Sequence, residues 1–527
     1  AQPRHAGSPQ RDHPEPVRRH APLLAGILVG WLLLWWWGSA WVLDERLGGY
    51  RWPDYLRNAW MVFSDQPEAI HRFRKPLHAL MLAPLGEALG SFPNGAIALS
   101  SACMTLAVVG VALGARSLAG SWAGGVAAAS VPWVANNAEA ARWANSYTLL
   151  AACSLLGICL ALGSTRGQDR RVKALLALGA GLFAGLGWAT DERGLAMVPV
   201  ALAFVLLGLR SRWGLLRVLL FAAGLAVGPA INATQPENPY ALGWEEKMET
   251  QAQVVHRWII LSESAPLIQA CEGADLRPSL RAIATECGQA QLRHNTRKVL
   301  PRHLPFGWLT LLGLPLCLLP GRGGARASLA GGVLVATCVG SWAFMGSMTL
   351  IPERYALQLA LPWVLVVPVG LARLAQHLPR RGLAPLLLLP AAAWAVGTDA
   401  SDRYLRTAIG LDTNYHLLLG AADRLRRELP SDATLLDCSQ WYVDLALLPR
   451  ELHDRSWPTS GDNTPTIEHA LACERWIQEG GDLMAVDGSS TWFHGASRTR
   501  KPPSVLVREA GWERWLVEGD FEVWQRP

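Results

Sequence analysis

The sequence predicts an all-α polytopic membrane domain of about eleven spanning helices, followed by a small C-terminal α/β domain outside the membrane. Three observations predict it. From about residue 21 to 400 the chain falls into apolar blocks of roughly 17–22 residues, the length that crosses ~30 Å of hydrocarbon. Charged residues are only 17% of the 527-residue chain, against about 25% in a typical soluble domain, yet they return at ordinary density after residue 400. The short connections between blocks alternate between strongly basic and mixed or acidic. The organisation read from this is a tail over 1–20, a membrane domain over 21–399 with long connections at 44–93 and 234–303, and a soluble domain over 400–527.

The spans are placed near 22–43, 94–114, 119–135, 146–164, 173–190, 194–210, 216–233, 304–320, 327–346, 356–374 and 383–398. The chain holds 25 Trp, many at block ends (Trp35, Trp36, Trp37, Trp41, Trp133, Trp143, Trp188), where an amphipathic ring suits the headgroup layer. Arg18-Arg19-His20 before the first block resembles a signal-peptide start. The block is too long, however, and ends without a small-residue cleavage site, so it reads as a retained helix. Residues 76–90 are apolar but short and carry Pro84 and Glu87. If they spanned, every later connection would change sides, so they read as an interfacial or re-entrant helix.

Orientation follows from the basic connections: Arg116, then Arg166/Arg170/Arg171/Lys173, then Arg210/Arg212/Arg217, then Arg322/Arg326, then Arg373/Arg380/Arg381. With the N-terminal tail they share one side, which the positive-inside rule assigns to the cytoplasm. The other side receives 44–93, 136–145, Asp191-Glu192-Arg193, 234–303, Pro352-Glu353-Arg354 and the C-terminal domain. The composition looks bacterial, which places the chain in the inner membrane with that domain periplasmic. The net charge of +6 sits largely in these loops, so nucleic acid is not an expected partner.

In the soluble pieces, 415–429 and 466–479 read as helices, and 433–437, 482–487 and 504–509 as strands, a helix–strand alternation that suggests a small α/β unit. No GxGxxG or GxSxG follows a strand there. Of nine Cys, Cys103, Cys153, Cys159, Cys317 and Cys338 lie inside apolar blocks as small hydrophobes. Cys271 with Cys287, and Cys438 with Cys473, form two candidate disulfides, with reduced thiols the alternative. Asn232-Ala-Thr234 matches a glycosylation sequon but sits at a helix end, where coincidence explains it better. No zinc-spaced Cys/His cluster occurs, so no metal ligands are assigned.

Ionisable residues gather on the predicted outer side: Asp44, Glu45 and Asp54, the run His71-Arg72-Phe73-Arg74-Lys75, then Glu139 and Arg142, Asp191-Glu192-Arg193, and Glu353-Arg354-Tyr355. A carboxylate can take a proton from an acceptor, and an arginine fork suits phosphate oxygens. Each has a plainer reading. Asp44 and Glu45 can mark a helix end, Asp54 can be an N-cap, and Arg74 and Lys75 can anchor a helix to headgroups. Asp191 to Arg193 can form a tight turn.

Four stretches resemble a family. PDYLRNAW (53–60) with FRKPLHALMLAPLG (73–86), GGVAAASVPWVANNAEAARWANSYTLLAA (124–152), GLFAGLGWATDERG (181–194) and IPERYALQLALPWVLV (351–366) are similar, in order, to segments of GT-C glycosyltransferases. The likeness is greatest to the protein O-mannosyltransferase and aminoarabinose-transferase superfamily. The resemblance implies a GT-C-like fold and sugar transfer from a polyprenyl-phosphate-linked donor to a protein, lipid or glycan acceptor at the bilayer. It implies Asp54 as the catalytic acid of the first loop, with Asp44 the competitor, and Arg354 near the donor phosphate. Glu139, Arg142, Arg193, Tyr355, Arg74 and Lys75 complete the candidate set. The chain departs from the pattern at Tyr55, where the family has Glu, at Asn145, where it has Asp unless Glu139 replaces it, and at Asp191, where it has Lys. These departures leave the need for a divalent metal open, and keep two alternatives in view, a catalytically silent scaffold and a secondary transporter.

Overall fold

The computed structural model describes residues 16–42, 59, 62, 75–89, 92–133, 146–165, 169–207, 212–234, 244–262, 264–304, 306–307, 309–321, 324–351, 353–377, 424, 427–428, 435–438, 475–487, 503–518 and 521–527. The predicted span 383–398 lies outside them.

Among the described residues, the membrane region is built of helices and the turns that join them. Its helices are α1 (Pro16–Val42), α2 (Pro76–Ala88), α3 (Phe92–Ala119), α4 (Ser121–Ser130), α5 (Tyr147–Ser164), α6 (Arg170–Thr190), α7 (Val198–Leu206), α8 (Arg212–Leu225) and α9 (Val227–Ala233). After the long connection come α14 (Leu309–Leu316), α15 (Ala325–Met348), α16 (Glu353–Ala360) and α17 (Val366–His377). Among the described residues, six helical stretches are long and apolar enough to cross a membrane: Gly95–Ala119, Tyr147–Ser164, Arg170–Thr190, Trp213–Ala233, Ala327–Met348 and Ala356–His377. The chain is a multi-pass membrane protein. Three predicted spans, 119–135, 194–210 and 304–320, are realised as shorter helices, and proline accounts for it. Pro132 sits in a 3-10 turn just past α4, Pro199 opens α7, and Pro315 lies in the last turn of α14, where its missing N–H and its ring disrupt helical bonding. Helix α2 is 13 residues long, rising about 20 Å and so too short to cross alone.

Apolar side chains point outward as well as inward. Leu28, Leu175, Leu219, Leu312 and Leu329 are exposed, as expected of a surface that meets lipid rather than water. Inside, helices approach closely at small residues. Gly26 and Gly30 of α1 press on the backbones of Gly125 and Ala128 in α4, and Gly181 and Gly185 of α6 press on Phe221, Leu225 and Gly228. A Cβ at these glycines would collide with backbone, so van der Waals contact is won there only by glycine.

The long connection folds on itself through α10 (Trp244–Leu261), α11 (Ala265–Cys271), α12 (Glu286–His294) and α13 (Leu300–His303). Val255, Ile259, Leu267 and Ala290 form its core together with Leu350 from the exit of α15. Cys271 and Cys287 are joined in a disulfide, which settles the first of the two candidate pairs. Of the second, Cys473 lies outside the described residues.

Near the C-terminus, β1 (Leu435–Cys438), β2 (Leu483–Asp487), β3 (Glu513–Glu518) and β4 (Phe521–Gln525) form one sheet of order β1-β2-β4-β3. The first pair is parallel and the others antiparallel. The predicted strand at 504–509 is instead helix α18 (Pro503–Glu509). Pro503 presets the first helical φ, buried Ser504 and Val507 stand one turn apart against the sheet, and Gly511 at φ +75° ends the turn.

Candidate functional site

The site begins where α6 ends. The Thr190 hydroxyl donates to the Leu186 carbonyl at 2.8 Å, and the Asp191 backbone N–H to the Gly187 carbonyl at 3.1 Å. The chain then reverses into a 3-10 turn, Glu192–Met197. Gly194 lies directly on the backbone of Gly187 and Trp188, so the reversal admits no side chain there. Asp191 caps the new turn by accepting from the Arg193 N–H at 2.9 Å. The tight-turn reading of Asp191 is thus correct, but it is not the whole of its work.

The same carboxylate takes the Arg193 fork, with Nε to Oδ1 at 2.7 Å and the second terminal nitrogen to Oδ2 at 2.5 Å. The guanidinium also stands 4.9 Å from the ring centre of Tyr147, the first residue of α5. Arg193 is therefore planar-paired on one edge and stacked on one face, an arrangement available to Arg and not Lys. Beside it, Lys75 Nζ lies 3.6 Å from Glu192 Oε1, bringing in the residue that opens α2. From α16, Gln358 Nε2 donates to the Arg193 carbonyl and to Ser154 Oγ, each at 3.3 Å. Two of the predicted outer connections, 44–93 and Asp191-Glu192-Arg193, thus meet at one end of the bundle, beside the starts of α5 and α16.

A buried apolar floor supports this end. Leu77, Leu82 and Ala83 of α2 pack with Leu99, Leu149, Ala152 and Ala189, and Ala59 from the first long connection belongs to the same cluster. A buried hydroxyl pair, Ser100 with Thr148 at 3.0 Å, ties α3 to α5 beside Tyr147. The ion pairs above this floor stay partly open to solvent, with side-chain exposures of 20% and 17% for Arg193 and Asp191 and 21% and 38% for Lys75 and Glu192, so solvent screens part of their attraction. Here each described cation has a carboxylate.

The basic side chains predicted on the opposite side have different partners. Arg217 donates to the Ser164 carbonyl at 2.8 Å, and Arg373 to the carbonyls of Cys317, Leu319 and Ala327. His377 Nε2 lies 2.9 Å from the Pro320 carbonyl. Apart from that of Ala327, in the first turn of α15, these carbonyls lie at or just past the C-terminal ends of α5 and α14, where helical partners run out.

Of the residues singled out from sequence, Lys75 and Arg193 are brought together with Asp191 and Glu192. Arg354 and Tyr355 lie on the first turn of α16, one turn before Gln358, and their side chains are outside the described residues. Asp44, Asp54, Arg74, Glu139, Arg142 and Asn145 also lie outside them. Sequence reasoning missed Tyr147, Ser154 and Gln358. The available signal for Gln358 was a lone amide inside the apolar run YALQLALPW, since a polar group at membrane depth needs a reason.

No family model matches the sequence, and no curated protein matches it. The fold, in contrast, is shared with ArnT from Cupriavidus metallidurans. The form of that protein bound to undecaprenyl phosphate superposes with a TM-score of 0.61 over 97% of this chain and 98% of that one, at 13% identity. Its apo state gives 0.58 over 96% and 97%, at 14% identity. At such identity the likeness is one of fold, and the GT-C architecture implied by the four motifs is the architecture of this chain.

Proposed function

We propose that the chain is a membrane glycosyltransferase that moves a sugar from a polyprenyl-phosphate-linked donor to an acceptor at the outer face of a bacterial inner membrane. The observation that carries this reading is the meeting of Lys75–Glu192, Asp191–Arg193 and the helix bearing Arg354 at one end of a GT-C fold. In the reaction proposed, Asp54 takes the proton of the acceptor as its oxygen or nitrogen bonds to the anomeric carbon. The bond from that carbon to the phosphate oxygen breaks, and the polyprenyl phosphate leaves with inversion at carbon. Arg354, with Arg142 or Arg193 and with Arg74 and Lys75 nearby in the reading, holds the growing phosphate charge. Asp44 and Glu139 are the competing acids, and Tyr355 lines the same turn as Arg354. The eleven-span layout, with 234–303 and 400–527 outside, is part of the proposal.

One observation favours a silent scaffold instead: the Arg193 fork is already occupied by Asp191. Transfer of labelled sugar from a polyprenyl-phosphate donor by the purified chain in vesicles separates the two. Incorporation that disappears in Asp54→Asn supports the enzyme, and no incorporation with any donor sugar supports the scaffold. Reporter fusions after Arg381 and Asp399 should read cytoplasm and exterior respectively, and the reverse result overturns the layout.

A further inference from the structure

Two buried amides hold the helix that carries Arg354, one on each side of that residue. Asn295 lies in a π-helical turn, Asn295–Val299, between α12 and α13, and is fully buried. Its Nδ2 donates to the carbonyls of Gly346 and Thr349 at 2.8 Å each, and its Oδ1 accepts from the Ile351 N–H at 3.0 Å. Both amide hydrogens and the oxygen are used, and the three partners lie in the last turn of α15 and in the segment that leads from it into α16. The approach depends on Gly346, where a Cβ would stand 3.0 Å from Leu292 and 3.6 Å from Asn295. A second bond, Trp342 Nε1 to Thr296 Oγ1 at 3.3 Å, fixes the same turn to α15. Past Arg354, Gln358 ties α16 to the Asp191–Arg193 turn and to α5 through its bonds to Arg193 and Ser154.

A π turn is a rare insertion that costs regular helical bonding and is often found at functional sites. Here it turns one side chain into a three-point clamp on a segment more than fifty residues away. The long connection therefore has a task beyond folding on its own core. We propose that Asn295 and Gln358 are positioning residues of the phosphate site: they set the height and rotation of α16, and so the place from which Arg354 meets a lipid-linked phosphate. This rests on the reading that Arg354 binds that phosphate.

The test uses the full chain in lipid nanodiscs with undecaprenyl phosphate as probe, reading Kd in a double-mutant cycle. Arg354→Ala should weaken binding by at least about tenfold, the loss expected of a charge-assisted phosphate contact. Asn295→Leu and Gln358→Met should each weaken it on the order of tenfold, since small misplacement of a binding group is costly. Added to Arg354→Ala, either should cost less than about threefold more, because residues acting through one another are not additive. Full additivity would make the amides general fold supports and overturn the inference, as would unchanged Kd in both single variants while Arg354→Ala binds weakly. If Arg354→Ala binds the probe as the parent does, the phosphate reading itself fails and the inference with it. Should Asn295→Leu not fold, Gln358→Met, which keeps volume and charge, carries the cycle alone.

Discussion

The two ends of the bundle both hold buried or half-buried arginines and use them in opposite ways. At one end Arg217 and Arg373 donate to the carbonyls of Ser164, Cys317 and Leu319, where α5 and α14 terminate, and Arg373 also to Ala327 in the first turn of α15. At the other, Arg193 and Lys75 meet carboxylates, with a ring and a neighbouring helix close by. A helix end cannot relocate its carbonyls, so a cation that satisfies them is fixed for the life of the fold. A carboxylate–arginine pair can be rearranged when a competing anion arrives, because the anion replaces what the pair gives up. The first end reads as construction and the second as a site, although a count of positive charges would not tell them apart.

The strongest way to break that contrast is Arg373→Met. Arg373 is fully buried, and losing it leaves helix-end carbonyls unsatisfied in an apolar setting, at a cost of about 3–5 kcal/mol. Unfolding in mixed micelles should show the loss directly. A variant as stable as the parent would mean that these carbonyls find other donors, and the end would no longer be construction.

The next largest effect belongs to the proposed chemistry. Asp54→Asn keeps shape and capping capacity while removing the base, so turnover should fall by ~10²-fold or more with stability unchanged. Asp44→Asn is its control. A dead Asp44→Asn beside an active Asp54→Asn would move the role to Asp44, and activity in both would remove this loop from acid–base transfer.

A smaller and sharper effect is expected at Asp191. Asn at this position still caps the 3-10 turn but no longer holds the Arg193 fork with a full charge. If the turn is a site, Asp191→Asn should tighten binding of undecaprenyl phosphate by about three- to tenfold, as the guanidinium becomes available to the phosphate. Thermal stability should fall by about 1 kcal/mol. Weaker binding would instead mean that Asp191 orients Arg193 for the ligand, and unchanged binding would place Arg193 with the structural arginines.

The sequence made the helical membrane region legible because hydropathy over ~20 residues is a property of composition, insensitive to which neighbour a helix meets. It also brought Lys75, Asp191, Glu192 and Arg193 to one side through the alternation of loop charge. It did not reveal which helices would be short, since Pro132 and Pro315 act locally while the apolar run continues past them. Nor did it separate strand from helix at 504–509, where SVLVRE is rich in β-branched residues and only Pro503 argues for a helix. The glycine contacts of α1 with α4 and of α6 with α8 depend on crossing geometry, and Asn295 and Gln358 are single amides whose partners lie far away in sequence. Pairing of Cys271 with Cys287 was half legible, because proximity in the fold rather than spacing decides it.

The smallest expected effect is at Lys75, and it tests the contrast from the weak side. The Lys75–Glu192 pair is separated by 3.6 Å, with side-chain exposures of 21% and 38%. Partial access to solvent screens such a pair, and ordering two side chains offsets part of the Coulomb gain, so its net worth is less than about 1 kcal/mol. Lys75→Met and Glu192→Gln should each shift the unfolding midpoint only slightly, and raising the salt concentration should shrink even that difference. A construction role for Lys75 predicts otherwise, namely a loss approaching that of Arg373→Met and insensitive to salt. If Lys75→Met is nearly silent in stability yet weakens undecaprenyl phosphate binding several-fold, the lysine is held in reserve for the ligand, with Glu192 as its resting partner. A variant silent in both readings leaves Lys75 as a headgroup anchor for α2, and the site contracts to the Asp191–Arg193 turn and the helix that Gln358 ties to it.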